Sequence, residues 1–304
     1  MRSIPRLPLA SLATLAALLA TGCATEFTPA SVVEDLRVLA IVAEPPDVLL
    51  PASLSGPTET VTLRATAVAP PLAAGGSPRT PDPADLRWTF CPFSFGASSG
   101  YACAAPACET SLTPAADGSV TVDPIMLGAA CPASLGGSLP GAPAGSGLPP
   151  QIEVLVRYLA TLDGLRREAV QRIPVWTTTP PATQERNLNP LIVLASSGAD
   201  CSGGASGCSV GAVSIAVTID PTSFQPYPAG QDRTVLETVL VSYFTTAGRF
   251  TSERGQATVE APSIGTSLEA TELGGATEAL VWVVARDLRG GEAVQGPLTV
   301  VYSK

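Results

Sequence analysis

Proline and glycine punctuate this chain at short intervals, and that punctuation constrains the fold more than any other feature. Thirty prolines and 28 glycines separate short runs rich in Ala, Thr and Val. Proline removes a backbone donor and glycine is entropically costly, so neither suits a helix interior. Short β-branched runs bounded by turn residues are the pattern of an all-β sandwich. Beyond the first 22 residues no convincing amphipathic helix is found. Strands are expected at 35–43, 59–69, 85–91, 118–124, 151–161 and 166–176. A second set is expected at 190–195, 212–219, 234–246, 256–260, 277–287 and 292–302.

The two sets echo each other. Leu36-Arg-Val-Leu-Ala40 returns as Leu191-Ile-Val-Leu-Ala195 at an offset of 155, and Trp88 answers to Tyr243 at the same offset. Glu153-Val-Leu-Val156 then matches Glu278-Ala-Leu-Val281 at 125, and Glu168-Ala-Val-Gln171 matches Glu292-Ala-Val-Gln295 at 124. Chance matching of apolar tetrapeptides is the competing explanation, and four matches in one order argue against it. Two related domains are therefore expected, at 34–177 and 189–304, the first with a Cys/Pro/Gly-rich insertion at about 92–150. Consecutive prolines in the stretch 178–188 mark a stiff linker. Six or seven strands per domain fit an immunoglobulin-like sandwich. Leu86, Trp88 and Phe90 alternate with Arg87 and Thr89, which turns Trp88 inward, and a Trp in that strand resembles the buried Trp of immunoglobulin-like domains.

The amino-terminal segment speaks to location. Arg2 and Arg6 precede an apolar stretch from Leu7 to Ala20, too short to span a bilayer, which needs about 20 residues. Small residues follow at Thr21 and Gly22, then Cys23. A basic start, a short apolar core and a small-residue cut define a secretory signal peptide, here residues 1–22. The cysteine at the cut resembles a bacterial lipoprotein signal, although Ala20 stands where that family most often has Leu. The resemblance implies lipidation of Cys23 and cleavage before it, with residues 23–33 as a tether. Plain secretion and a transmembrane anchor are the alternatives. Ala24, rather than Asp, points by the same resemblance to the outer membrane, periplasmic or surface-facing. Multiple acyl chains would hold the protein stably, where one holds it only marginally.

Removing residues 1–22 leaves 282 residues with 15 basic against 26 acidic side chains, a net of −11. Such a chain gains nothing from phosphate neutralisation, so nucleic acid is not an expected partner. Six cysteines remain: Cys91, Cys103, Cys108, Cys131, Cys201 and Cys208. An even number in an exported chain reads as disulfides. Sequence proximity suggests Cys201–Cys208, Cys103–Cys108 and Cys91–Cys131. No metal is expected, because there is no histidine and no C-x-x-C pair.

Catalytic residues are equally hard to find. Without histidine no Ser-His-Asp or Cys-His arrangement exists, and the only lysine is Lys304. Gly96-Ala-Ser-Ser-Gly100 matches a nucleophile-elbow string, but in a loop of a β chain rather than between strand and helix. Glu153, Glu168, Asp287 and Glu292 fall at strand ends, where solvated charges are expected. No catalytic residue and no cofactor are assigned. A structural or protein-binding envelope role leads, with a polysaccharide-binding module or an accessory subunit of an envelope complex as alternatives. Aromatics make up only 5% of the chain, few for sugar stacking.

The repeat also orients one strand. Matching Glu153 to Glu278 sets Arg157 opposite Trp282, and an arginine rarely faces an apolar core. Because side chains alternate, Val281, Val283 and Ala285 should face the core, with Leu280, Trp282 and Val284 on the outer face. Either a neighbouring loop or the other domain covers Trp282, or the stripe is an interaction surface that a partner covers.

Finally, Leu36-Arg-Val-Leu-Ala-Ile-Val-Ala-Glu-Pro-Pro46, Tyr243-Phe-Thr-Thr-Ala-Gly-Arg-Phe250 and Leu280-Val-Trp-Val-Val-Ala-Arg-Asp287 resemble stretches recurring in predicted surface lipoproteins of myxobacteria. The resemblance implies immunoglobulin-like modules and a cell-envelope setting, and supplies no functional residues.

Overall fold

The computed structural model describes residues 29–50, 58–94, 96–131, 150–180, 185–197, 212–228, 233–269 and 278–301. The first half contains β1 (Arg37–Glu44), β2 (Val48–Leu49), β3 (Val61–Val68), β4 (Leu86–Cys91), β5 (Thr110–Leu112) and β6 (Val120–Val122). A short helix, α1 (Pro124–Ala129), is followed by β7 (Gln151–Leu162) and β8 (Leu165–Trp176). The second half contains β9 (Ile192–Ser197), β10 (Ala212–Ile219), β11 (Pro226–Pro228), β12 (Thr234–Leu236) and β13 (Val239–Thr245). It continues through β14 (Arg249–Phe250), β15 (Arg254–Ala257), β16 (Ser263–Glu269), β17 (Glu278–Arg286) and β18 (Glu292–Val301). The protein is all-β apart from α1 and a few 3₁₀ turns among the described residues.

In the first half a sheet ordered β2-β8-β7-β4-β5 faces one ordered β1-β3-β6. In the second half β15-β13-β17-β18 faces β14-β16-β10-β9, with β11 and β12 forming a small ribbon. The order β8-β7-β4-β5 thus recurs as β18-β17-β13-β15, and β1-β3-β6 as β9-β10-β16. Burying alternate side chains between two such sheets gives each half its own core. The first is built on Trp88, Phe90, Val156, Tyr158 and Ile173, the second on Ile215, Val217, Tyr243, Val281 and Val283. Trp88 packs tilted against Tyr158, ring centres 4.5 Å apart, and donates its indole N–H to the Gly118 carbonyl at 3.2 Å. Tyr243, in the equivalent strand, packs at 5.5 Å on Phe250.

Most expected strands form within about two residues of their expected ends. β2, β5, β11, β14, β16 and α1 were not expected, and the stretch 234–246 forms two strands, β12 and β13, rather than one. β16 is mostly polar because half of it faces solvent. Helix α1 starts at a proline and is capped by the Asp123 carboxylate, which accepts from the Ile125 and Met126 N–H groups at 3.1 and 2.9 Å. Proline at the first helical position after an aspartate cap is favoured because its missing N–H would have no partner there.

The halves do not hang from a free linker. From Ser31 onward the chain is one compact unit. Val32 forms a parallel bridge with Thr245 of β13, Val33 N–H donating to the Thr245 carbonyl at 2.7 Å and Thr245 N–H to the Ser31 carbonyl at 2.9 Å. The body therefore takes in residues 31–33, expected in the tether. Likewise Arg186 and Asn187, expected in the linker, are built into the seam between the halves. Residues 1–22, Cys23, the insertion part 132–149, linker part 181–184, Cys201 and Cys208 lie outside the described residues.

Candidate functional site

The stripe Leu280, Trp282 and Val284 is apolar and lies opposite the second core, as its alternation requires, but it is no open interaction surface. It packs with Val33, Leu39, Ala40 and Val68 of the first half into a third buried cluster, in which Trp282 is 2% exposed. The covering residues come from the other half, so the seam is intramolecular. The unbroken apolar run of β17 carries this information: a strand buried on both faces loses the alternation that marks a half-exposed one.

Polar groups frame the same seam. Arg286 donates from Nη2 to the Leu39 carbonyl at 2.6 Å and pairs through Nε with Glu292 at 2.5 Å. The other Glu292 oxygen accepts from the Ile41 N–H at 2.9 Å. Further along, Asp47 is buried and accepts from the Trp176 indole at 2.9 Å, the Asn187 N–H at 3.1 Å and the Arg186 guanidinium at 3.0 Å. Arg186 also pairs with Glu59 at 2.6 Å. Buried carboxylates persist when such bonds replace water.

Asp287 departs from its expected place as a solvated strand-end charge. It is 6% exposed, and its carboxylate accepts from the Arg289 and Gly291 N–H groups at 2.7 and 2.8 Å. A side chain at Gly291 would collide with that carboxylate, which is why glycine stands there. Arg289 pairs at 3.0 Å with the buried Glu237. Burial pushes the Glu237 carboxyl up to about 7, with Arg289 pulling it down and Asp287 adding to the rise. Burial also raises Asp287, against its two backbone donors. Glu153 and Glu168 are half exposed, as expected, and pair with Arg172 and Arg157. A cleft of about 150 Å³ lies beside the seam, and among its walls Asp47, Arg172 and Arg289 are already engaged in these pairs. Among the described residues no His/Cys/Asp/Glu group is placed to hold a metal.

The other candidate region is a stapled loop at the edge of the first half. Cys91 pairs with Cys103, and Cys108 with Cys131. This corrects the pairing by proximity (Cys103–Cys108 and Cys91–Cys131). The chain leaving β4 turns back at once, with a bridge between Ser94 and Cys103 that brings Cys103 beside Cys91. Their Cα atoms are then 5.7 Å apart, within normal disulfide reach. Cys91, Cys103, Leu155, Tyr101 and Val170 pack together under the loop. Arg157 donates to the Tyr101 carbonyl at 2.9 Å and pairs with Glu168 at 2.9 Å and Glu109 at 3.4 Å. The loop thus roofs the outer face of β7. At its tip, the Gly96–Gly100 string is an exposed 3₁₀ turn closed by Ser99 Oγ on the Gly96 carbonyl at 2.9 Å.

No protein-family model and no curated protein matches the chain. Among solved structures it is similar to a Ca2+-stabilized adhesin that helps an Antarctic bacterium reach out and bind ice. The identity is 12%, the TM-score 0.21, and the match covers 90% of this chain but only 49% of the adhesin chain. At that TM-score the likeness carries no argument. Among the described residues no helix is long and apolar enough to cross a membrane, and the two disulfides are bonds that persist in oxidising compartments.

Proposed function

We propose that this is a non-enzymatic lipoprotein of the bacterial cell envelope, held at the outer membrane through Cys23, with a structural or adhesion-like role toward another envelope or surface protein. Each half is read as an immunoglobulin-like domain, in keeping with the resemblance to myxobacterial surface lipoproteins. The observation that carries the reading is the stapled loop 92–109, between β4 and β5. Two disulfides and the Arg157 contacts fix it to a rigid sheet while Ala97, Ser98 and Ser99 stand exposed at its tip. Loops presented by a rigid scaffold are where recognition concentrates. The polysaccharide alternative draws no support from exposed rings, since every described aromatic side chain is buried or half-buried.

A photoreactive residue at Ser98, in intact cells, should give a protein adduct that the same group at Gln256, exposed on β15, does not. Absence of an adduct at Ser98, or equal adducts from both sites, would overturn the reading.

A further inference from the structure

One end of the molecule gathers features that the seam and the stapled loop leave unused. Ser31 enters the body there, pairing with Thr245. The neighbouring Thr246 N–H donates to the Leu280 carbonyl at 3.0 Å, near the start of β17. The loop joining β3 to β4 comes to the same place, because Gly75 lies against the Glu278 carboxylate at that start. The β7–β8 turn is there too, with Asp163 paired to Arg79, which closes the loop by bridging Ala69.

That loop is unusual in composition. From Ala65 to Pro78 there is no charged residue, and the turn reads Pro70-Pro-Leu-Ala-Ala-Gly-Gly-Ser-Pro78. Leu72 at its tip is 85% exposed, more than any other large apolar side chain described, and Leu165 on the adjoining turn is 41% exposed. Two projecting leucines at one end are a surface that water solvates poorly.

The length of chain that precedes Ser31 says what covers them. Ser31 stands eight residues after Cys23, so a lipid on that cysteine holds Ser31 within about 28 Å of the bilayer. The twelve-residue strand β7 is about 40 Å long. A leash shorter than the body keeps the end that carries Ser31 the nearer one to the membrane when that lipid is present.

We infer that the loop Pro70–Pro78, led by Leu72 and flanked by Leu165, is a membrane seat that dips into the lipid interface beside the acyl anchor. The inference rests on the lipid-anchor reading. A buried leucine in the interface adds apolar area to the anchor and fixes the orientation of the body, which an acyl chain on a leash does not. The stapled loop and seam would then be held at a set height above the bilayer.

The test uses the full lipoprotein purified from membranes, its lipid at Cys23 established by intact mass. It is reconstituted in phosphatidylethanolamine–phosphatidylglycerol vesicles with and without dibrominated phosphatidylcholine. Leu72→Trp places a reporter in the seat. Met126→Trp, exposed in α1 near the opposite end of β3, is the control. The emission added by Leu72→Trp should shift to the blue and lose most of its intensity on brominated lipid, while that of Met126→Trp stays unchanged. If the protein is lipidated and floats with vesicles, yet Leu72→Trp is unquenched or quenched no more than Met126→Trp, the seat is wrong and the anchor stands. If no lipid mass is found at Cys23, the anchor reading fails and the seat with it.

Discussion

β7 and β17 hold the same position in their respective sheets, and their outer faces have opposite chemistry. On β7 that face carries Arg157, answered by Glu109, Glu168 and the Tyr101 carbonyl under the stapled loop. On β17 it carries Trp282 between Leu280 and Val284, answered by Val33, Leu39, Ala40 and Val68. Both faces are roofed, one by an insertion held with disulfides and the other by the neighbouring half. A repeated sandwich can therefore keep one inner-core plan while its outer face is rewritten for whatever covers it. The polar roof is a local insertion held to its own half, whereas the apolar one binds the two halves into a single body.

The strongest way to break this comparison is at Trp282. If its face is a true second core, Trp282→Ala should cost about 3–5 kcal/mol in denaturant unfolding, the range for a fully buried Trp. A loss under about 1 kcal/mol, typical of surface sites, would mean that the seam is only a loose contact. Removing the other roof should cost less. The Cys91–Cys103 bridge spans 12 residues, so replacing both cysteines by Ser should lower stability by roughly 3 kcal/mol. Peptide mapping of the non-reduced protein should yield Cys91–Cys103 and Cys108–Cys131. A Cys103–Cys108 peptide would restore the pairing expected from proximity.

The smallest effect sharpens the comparison at the polar rim of the seam. Folded Glu237 keeps its proton up to about pH 7, whereas the unfolded chain releases it near 4.5. Stability should therefore fall as pH rises between those values and level off above them. Glu237→Gln should remove a slope on the order of 2 kcal/mol, seen as converging denaturation midpoints at pH 5 and 8. Asp287, raised by the same burial, adds a slope of the same sign that remains in the variant. An unchanged slope in Glu237→Gln would put the titrating proton elsewhere.

Much of the β framework was legible in the sequence, because alternation within β4 and β7 and the turn residues around them are local signals. Trp88 inward and Arg157 outward follow from that alternation alone. The two faces of β17 were also separable, through the match of Arg157 to Trp282. What covers the outer face was not, since Val33 and Leu39 are remote in sequence and nothing local pairs them with Trp282. The disulfide pairing failed for a similar reason: proximity along the chain ignores the turn that returns Cys103 to Cys91. Asp287 looked like any strand-end acid, and only the tertiary fold buries it against Arg289 and Gly291.

The seam also dictates when the molecule can be completed. Ile41 and Glu292, joined by a hydrogen bond, are 251 residues apart in the chain. Arg286 and Leu39 are separated by 247. At ribosomal speeds of about 5–20 residues per second, β1 waits on the order of ten to fifty seconds for the strands that close over it. Contacts of such long range form slowly even once all the partners are present. The first half thus emerges with Leu39, Ala40 and Val68 uncovered. Until β17 is in place nothing covers that apolar face, so the first half without the second is an aggregation-prone form of the chain.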